Sequence, residues 1–115
     1  MYIFVTGATG YIGQAVVREL IALGHVVTGL VRSDAKAEQV RRLGAQAMVG
    51  DIADPASYRE HAAAHEALVH TAFGSGPGSV AADRIAVETL IAAAGAGKAR
   101  SLVYKIGRAS CRERV

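Results

Sequence analysis

Cysteine and proline are scarce in this 115-residue chain, which has one cysteine, Cys111, and two prolines. A single cysteine excludes an intrachain disulfide framework and a zinc site built from several cysteines. Gly, Arg or Glu interrupts every apolar run well before the length of a membrane span, so no transmembrane helix is expected. Because the chain begins with strand-like residues 2–5 and lacks a basic leader region, we expect no signal peptide and a cytoplasmic protein.

An excess of charge of one sign is also missing from most of the chain. The formal net charge of +3 comes from residues 105–115, where four basic side chains outnumber Glu113. Residues 1–104 hold nine basic and nine acidic side chains. This balance provides no basic surface for nucleic acid, so we expect no nucleic-acid partner.

What the chain does have is the composition of one globular domain, 51% hydrophobic and 20% charged. Its apolar residues alternate between strand-like runs and helical spacing. Strands are predicted at 2–6, 26–31, 45–49, 67–72 and 101–104, and helices at 11–23, 35–43, 55–65 and 80–94. This alternation predicts an α/β fold over residues 1–104, a Rossmann-type doubly wound parallel sheet with strand order 3-2-1-4-5.

The helical spacing also predicts which side chains face the core. The first helix is expected to bury Ile12, Ala15, Val16, Leu20 and Leu23, and the long fourth helix Ile85, Leu90 and Ile91. Helix ends are marked by capping residues: Ser33 or Asp34 before the second helix, Asp54 before the third, Gly24 and Gly44 after the first and second, and Gly95 with Gly97 after the fourth.

A glycine-rich loop, residues 6–13 (TGATGYIG), lies between the first strand and the first helix. Gly7 permits a tight turn, Gly10 lets the backbone approach a pyrophosphate, and Gly13 allows close packing of the helix. The N–H groups at the start of the helix suit an anion. A loop that serves only a turn and helix packing is the alternative, but the strand–loop–helix context favours dinucleotide binding.

The loop resembles the cofactor loop of the extended and atypical short-chain dehydrogenase/reductases, which include NAD-dependent epimerase/dehydratases. Residues 50–54 (GDIAD) and 69–72 (VHTA) fit the same family, and the resemblance covers residues 1–104. It implies the NAD(P)-binding N-terminal portion of an oxidoreductase or epimerase that acts on a carbonyl- or hydroxyl-bearing small molecule. A non-catalytic NADP-binding regulatory module, NmrA-like in kind, is the alternative. Nothing in the sequence identifies the substrate.

The resemblance also implies roles for single residues. Thr9, Gly10, Tyr11 and Ile12 would line the pyrophosphate, Asp51 would hydrogen-bond the adenine amino group with Ile52 against the ring, and Thr71 with Ala72 would run beside the ribose near the nicotinamide. Asp51 could instead be a turn residue that caps the next helix, but Asp54 suits that role better. His70 is expected to be a core histidine with satisfied hydrogen bonds.

The residues after the second strand bear on the choice between NAD and NADP. An acidic side chain there would favour the NAD ribose, whereas an arginine would accommodate the NADP 2′-phosphate. Arg32 offers a planar fork of donors and Ser33 adds a hydroxyl, while Asp34 is interpreted as a helix cap. NADP is therefore expected, with NAD possible and a solvated loop cation as the alternative for Arg32.

The family's Tyr-x-x-x-Lys pair, in which lysine lowers the pKa of the proton-transferring tyrosine, is missing. The residues four positions after Tyr2, Tyr11, Tyr58 and Tyr104 are Thr, Ala, Ala and Arg. No catalytic residue and no metal ligand is therefore assigned to this chain, which we expect to be catalytically incomplete as it stands.

Residues 105–115 neither continue the fifth strand nor begin a patterned helix. A nucleotide string that resembles a common sequencing adapter can encode them. We therefore expect a non-native tail after Tyr104, with a genuine basic tail as the alternative, and no biological meaning for Cys111.

Overall fold

The computed structural model describes residues 1–71 and 78–104, in which five strands alternate with helices. The elements are β1 Tyr2–Thr6, α1 Tyr11–Ala22, β2 Val26–Val31, α2 Asp34–Arg42, β3 Gln46–Val49, a 3-10 turn at Pro55–Ser57, α3 Arg59–Ala63, β4 Ala67–His70, α4 Ser79–Ala96 and β5 Ser101–Tyr104. All neighbouring strands are parallel and follow the order β3-β2-β1-β4-β5. This arrangement confirms the predicted Rossmann-type doubly wound sheet.

Successive side chains of the strands point to opposite faces of the sheet, so an apolar layer forms on each face. On one face, Val17 of α1 and Val40 of α2 pack with Val5 of β1. On the other face, Leu90 of α4 packs with Phe4 of β1. The same cluster contains Leu68 of β4 and Tyr58, which precedes α3. The central strand β1 is therefore covered on both faces, which fixes the position of the loop that follows it.

The buried face of α1 differs from the prediction. Gly13 and Val17 are its buried residues, with Leu20 and Ile21 packed partly against the core. Of the other predicted core residues, Leu23 is 67% exposed and Ile12 37% exposed. Gly13 packs so closely on the loop that a Cβ there would lie 1.8 Å from the Gly7 carbonyl oxygen, so α1 meets the core through Gly13 rather than through its neighbour Ile12.

The predicted third helix is broken into two pieces at Tyr58. This residue has φ −146° and ψ −10°, outside the helical region, and separates the 3-10 turn from α3. Its side chain is 1% exposed, and its hydroxyl donates to the carbonyl oxygen of Ile52 at 2.8 Å. Burial of the tyrosine ring beside Phe4 thus takes precedence over a continuous helix.

Helix ends largely follow the predicted signals. Gly24 and Gly44 adopt positive φ values of 92° and 97° directly after the helical ends, as expected for C-terminal glycines. The fourth helix continues through Gly95 and ends at Gly97, and Ile91 on its surface is 56% exposed instead of buried.

No helix within the described ranges is long and apolar enough to cross a membrane. The fourth strand, predicted to reach residue 72, ends at His70. Residue 72 and the predicted tail at 105–115 lie outside the described ranges.

Candidate functional site

The glycine loop follows the carboxyl end of β1. Gly7 has φ 70°, a left-handed conformation that favours glycine, and its carbonyl oxygen accepts from the Gly10 N–H at 3.0 Å. Gly10 is the N-cap of α1 and makes no side-chain cap, and Gln14 Nε2 donates to the Thr9 carbonyl at 2.8 Å. The loop thus presents the first N–H groups of α1 at the sheet edge.

Gly13 and Gly10 are glycines for different reasons. A Cβ on Gly13 would lie 1.8 Å from the Gly7 carbonyl oxygen and 3.0 Å from Thr71 Oγ1, so no side chain fits. A Cβ on Gly10 would meet its nearest atom, the same Gly7 oxygen, at 3.4 Å, which is ordinary contact. Gly10 also has φ −73° and is exposed. The fold therefore requires glycine at position 13, whereas it tolerates a side chain at position 10.

Thr71, the residue after β4, is bonded to the loop. Its hydroxyl donates to the Thr6 carbonyl at 2.6 Å and lies 3.3 Å from the Gly7 carbonyl oxygen, while its N–H also reaches the Thr6 carbonyl at 3.3 Å. The side chain predicted beside a ribose is therefore engaged in holding the loop. Ala72, predicted with it, lies outside the described residues.

Arg32 and Ser33 follow β2 and both are exposed. Ser33 is the N-cap of α2, and its hydroxyl oxygen accepts from the Lys36 N–H at 3.3 Å. The interpretation of Asp34 as the cap is therefore wrong, because Asp34 is the first residue of the helix. Its carboxylate instead lies where it complements the helix dipole.

Asp51 and Ile52 follow β3 in a tight turn. Asp51 Oδ1 accepts from the Ala53 N–H at 2.9 Å, and the Asp51 N–H donates to Ser57 Oγ at 3.0 Å. Asp54 precedes the 3-10 turn without a side-chain cap. Asp54 thus occupies the predicted N-cap position before Pro55 but makes no side-chain cap, whereas the exposed Asp51 makes the side-chain hydrogen bond of the turn. Ile52 is partly buried against the apolar layer below.

Four side chains form a hydrogen-bonded network at the same edge of the sheet. His70 is 1% exposed; its Nδ1 lies 2.5 Å from Thr6 Oγ1 and its Nε2 2.8 Å from Asp83 Oδ1. The Tyr104 hydroxyl donates to Asp83 Oδ2 at 2.5 Å, and the Tyr104 and His70 rings stack with centroids 5.3 Å apart. His70 is thus the satisfied core histidine that the sequence predicted.

The same network removes Tyr104 as a proton donor to a substrate. The hydrogen bond to Asp83, together with desolvation and the negative charge of that carboxylate, raises the pKa of Tyr104 to about 12. Over the two described stretches, no group of three or more His, Cys, Asp or Glu side chains could hold a metal ion.

Sequence reasoning missed the contributions of Gln14 and Asp83. Gln14 is not among the predicted core residues of the first helix, and no sequence signal shows that it bonds the loop. Asp83 was detectable, since it lies on one helical stripe with Ala86, Leu90 and Ala93, all buried. A carboxylate on an apolar stripe requires a buried partner.

The predicted site residues meet along one edge of the sheet. The glycine loop, Arg32, Asp51 and Thr71 follow β1, β2, β3 and β4, so across the sheet they run from Asp51 through Arg32 and the loop to Thr71. In doubly wound sheets, ligands bind outside the carboxyl ends of the strands where the strand order reverses. The reversal here lies between β1 and β4, beside the glycine loop.

Comparison with known proteins agrees with this geometry. Residues 7–109 match a family described as NAD(P)H-binding. A 2-alkyl-3-oxoalkanoate reductase of Stenotrophomonas maltophilia is 36% identical over 109 residues, which cover 90% of this chain and 32% of the relative. A 4-hydroxy-2-methyl-3-oxo-4-farnesyl-3,4-dihydroquinoline-1-oxide ketoreductase of Stigmatella aurantiaca is 39% identical over 72 residues, covering 63% of this chain and 22% of the relative.

Among solved structures, the yeast methylglyoxal/isovaleraldehyde reductase Gre2 complexed with NADPH has a TM-score of 0.77 at 22% identity. The match covers 90% of this chain and 36% of that protein, and it shows the shared fold. The chain thus spans about a third or less of the curated relatives' length.

Proposed function

This chain belongs to the NAD(P)H-binding family, and from that premise we propose that the edge formed by the glycine loop holds the cofactor of a reductase or epimerase. One observation supports the proposal most strongly. Gly10 is exposed beside the N-terminus of α1, and the protein itself leaves room for a Cβ there. A bound pyrophosphate explains why position 10 has no side chain, because the pyrophosphate must approach the backbone closely.

In this proposal, the pyrophosphate lies on Thr9, Gly10, Tyr11 and Ile12. The free N–H groups of the first turn of α1 donate to its oxygens, and the dipole of this 12-residue helix favours its charge. Tyr11, 94% exposed, covers the outer side. Thr71 acts indirectly by holding the loop, and its own backbone passes beside the ribose near the nicotinamide.

The adenine end of the cofactor would lie over the turn after β3. Asp51 uses Oδ1 for the Ala53 N–H, which leaves its other carboxylate oxygen to accept from the adenine amino group. Ile52, anchored by the Tyr58 hydroxyl at its carbonyl, supplies an apolar surface for the ring. The turn role of Asp51 therefore positions its carboxylate for adenine.

We further propose a preference for NADP over NAD. Arg32 is exposed directly after β2, and its planar guanidinium suits a 2′-phosphate. The Ser33 oxygen accepts from the Lys36 N–H, so its O–H can still donate to a phosphate oxygen. Asp34 in the next position is the group that would read a 2′-hydroxyl if NAD were preferred.

The reaction we propose is hydride transfer to or from a carbonyl- or hydroxyl-bearing small molecule. A bound nicotinamide supplies or accepts the hydride. The described residues bind and orient the cofactor, and the Tyr104 hydroxyl, bonded to Asp83, is not available to move the proton. The reductase names of the relatives favour an enzyme over a regulatory module.

Fluorescence titration with NADPH tests the cofactor site. We expect the unmodified chain to bind, and Gly10→Val to lose detectable binding while it still unfolds cooperatively, because a Cβ fits at this position and valine at an N-cap costs only about 1 kcal/mol. Gly95→Val adds the same three carbon atoms at an exposed glycine of α4 that has nothing within 4 Å of its Cβ position, and it should bind normally. Equal binding by Gly10→Val and the unmodified chain would refute the site.

The NADP preference is tested by titrating both cofactors. Arg32→Ala should weaken NADPH binding about tenfold and leave NADH binding unchanged, as expected for loss of a charge-assisted contact with phosphate. Arg41→Ala removes an exposed arginine at the other end of α2 and is the control. If Asp34→Ala instead weakens NADH binding while Arg32→Ala changes nothing, the site prefers NAD.

A further inference from the structure

The hydrogen-bonded network at the edge of the sheet makes none of the proposed contacts with the cofactor. Its members are Thr6, His70, Asp83 and Tyr104. His70 and Asp83 are 1% and 9% exposed, so neither side chain is part of the binding surface. The four residues come from four elements, β1, β4, α4 and β5. Thr6, however, is the last residue of β1 and the first residue of the glycine loop.

The hydrogen-bond partners fix where the protons of the network lie. The Tyr104 hydroxyl and the His70 ring both bond to oxygens of the Asp83 carboxylate, which accepts from each. Nε2 of His70 therefore bears the hydrogen. Nδ1 lies 2.5 Å from Thr6 Oγ1, so a ring with its hydrogen on Nε2 alone accepts from the Thr6 hydroxyl.

Two adjacent residues, His70 at the end of β4 and Thr71 after it, thus hold the side chain and the backbone of Thr6. The His70 ring bonds the Thr6 side chain at 2.5 Å, and the Thr71 hydroxyl bonds the Thr6 carbonyl at 2.6 Å. Thr71 also reaches the carbonyl of Gly7, which accepts from Gly10. The orientation of the His70 ring therefore affects the position of Thr6, the residue at which the glycine loop leaves β1.

We propose that His70 and Asp83 are positioning residues of the cofactor site: Asp83 fixes the tautomer and orientation of the His70 ring, which through Thr6 sets the path of the glycine loop. This inference rests on the proposed function in one respect, that the loop binds the dinucleotide. A carboxylate that fixes an imidazole from behind is an established way to set the tautomer of a histidine that acts on a third group.

The central variant is Asp83→Asn, which keeps the shape of the side chain but adds amide donors. Its amide can accept from the Tyr104 hydroxyl and donate to Nε2, which would move the ring hydrogen to Nδ1. We expect the imidazole ¹⁵N spectrum of His70 to show this change of tautomer. We also expect the Kd for NADPH to rise by about five- to tenfold, a common size for coupling through a direct network.

Tyr104→Phe is the matched control, because it removes one hydrogen bond to Asp83 and leaves the pair with His70 intact. Its His70 tautomer and its Kd for NADPH should stay as in the unmodified chain. If Asp83→Asn does not fold, Thr6→Val tests the same link, since it removes the hydroxyl that reaches His70. Thr6→Val should then weaken NADPH binding, and Thr6→Ser should restore it.

The possible results separate the two proposals. If Asp83→Asn lowers the melting temperature but changes neither tautomer nor Kd, the network only stabilises the core and the inference is overturned. Normal NADPH binding by Thr6→Val would overturn it as well. If the unmodified chain itself binds no NADPH while its His70 has hydrogen on Nε2, the proposed function fails and the arrangement of the network stands.

Discussion

Gly10 and Gly13 lie three residues apart in one loop, and the surrounding atoms constrain them differently. The Gly7 carbonyl oxygen, the nearest atom to both hypothetical Cβ positions, would be 1.8 Å from one at Gly13 and 3.4 Å from one at Gly10. The motif predicts both roles, close helix packing and close ligand approach, from spacing alone. The structure adds that these roles are separable by mutation.

At Gly13, substitution should damage the fold itself. Gly13→Ala is expected to cost about 3 kcal/mol of unfolding free energy, as in severe overpacking, because the new methyl collides with backbone. Gly95→Ala is the control, since nothing lies within 4 Å and the residue is inside α4. It should gain about 0.5–1 kcal/mol from helix propensity. Urea denaturation measures both, and equal stabilities would contradict the expectation.

The role of a residue could be predicted from sequence where the element that contains it is enough to determine that role. His70 in a buried strand had to have satisfied hydrogen bonds, and the structure confirms this. The partner could not be chosen from sequence, because Asp83 lies 13 residues further along the chain and pairing depends on how α4 packs on the sheet. That Asp51, and not the N-cap residue Asp54, makes the side-chain hydrogen bond of its turn could not be predicted for a similar reason, since Ser57 and Tyr58 fix that turn.

At the scale of elements, strand positions followed from composition, whereas helix faces did not. The apolar residues of α1 suggested a core face that included Ile12 and Leu23, but the helix is anchored through Gly13, a residue with no side chain to reveal its burial. Similarly, α4 is apolar on several sides, so Ile91 could be placed inward by sequence although it is exposed. Periodicity defines a helix more securely than its orientation.

His65, which joins the end of α3 to β2, makes the free energy of unfolding depend on pH. This residue follows α3, and its ring bonds the His61 carbonyl at 2.7 Å and Thr28 Oγ1 at 3.1 Å. Burial lowers the pKa of His65 below 6.5, an effect that exceeds the opposing one of the His61 carbonyl. The unfolded chain therefore binds more protons just below pH 6.5, so stability should fall as the pH decreases through that value.

Urea midpoints at pH 7.5 and 5.5 measure this dependence. His65→Gln should reduce the loss of stability between the two pH values, because the group that must stay neutral in the folded state is gone. His61→Gln, an exposed position whose backbone carbonyl remains, should keep most of the loss, because burial is the larger cause of the lowered pKa and the charge of His61 is a smaller one. An unchanged loss in His65→Gln would assign the effect to another group.

At the scale of the whole molecule, the topology was predictable because few arrangements satisfy alternating strands and helices. Right-handed crossovers and the change of helix layer after β3 lead to the order β3-β2-β1-β4-β5. That order alone places the ends of β1 to β4 side by side. The candidate site was therefore predictable as a set of loops, while its hydrogen bonds depend on side-chain geometry.

The tail proposed at 105–115 can be tested on the whole chain. Deleting it should leave the Kd for NADPH and the melting temperature unchanged, because every proposed cofactor contact precedes Tyr104. Sequencing of the gene from source DNA through codon 104 provides an independent test. A frame that ends after Val115, or a deletion that weakens binding, would contradict a non-native tail.

The unequal space around Gly10 and Gly13 has a consequence for laboratory evolution. In a library randomised at both codons, a screen for well-folded protein should retain glycine at 13 and admit small side chains at 10. A second screen, for capture on an immobilised dinucleotide, should then return glycine at 10 as well. The two rounds would record separately, within four residues, what the protein needs in order to fold and what it needs in order to bind.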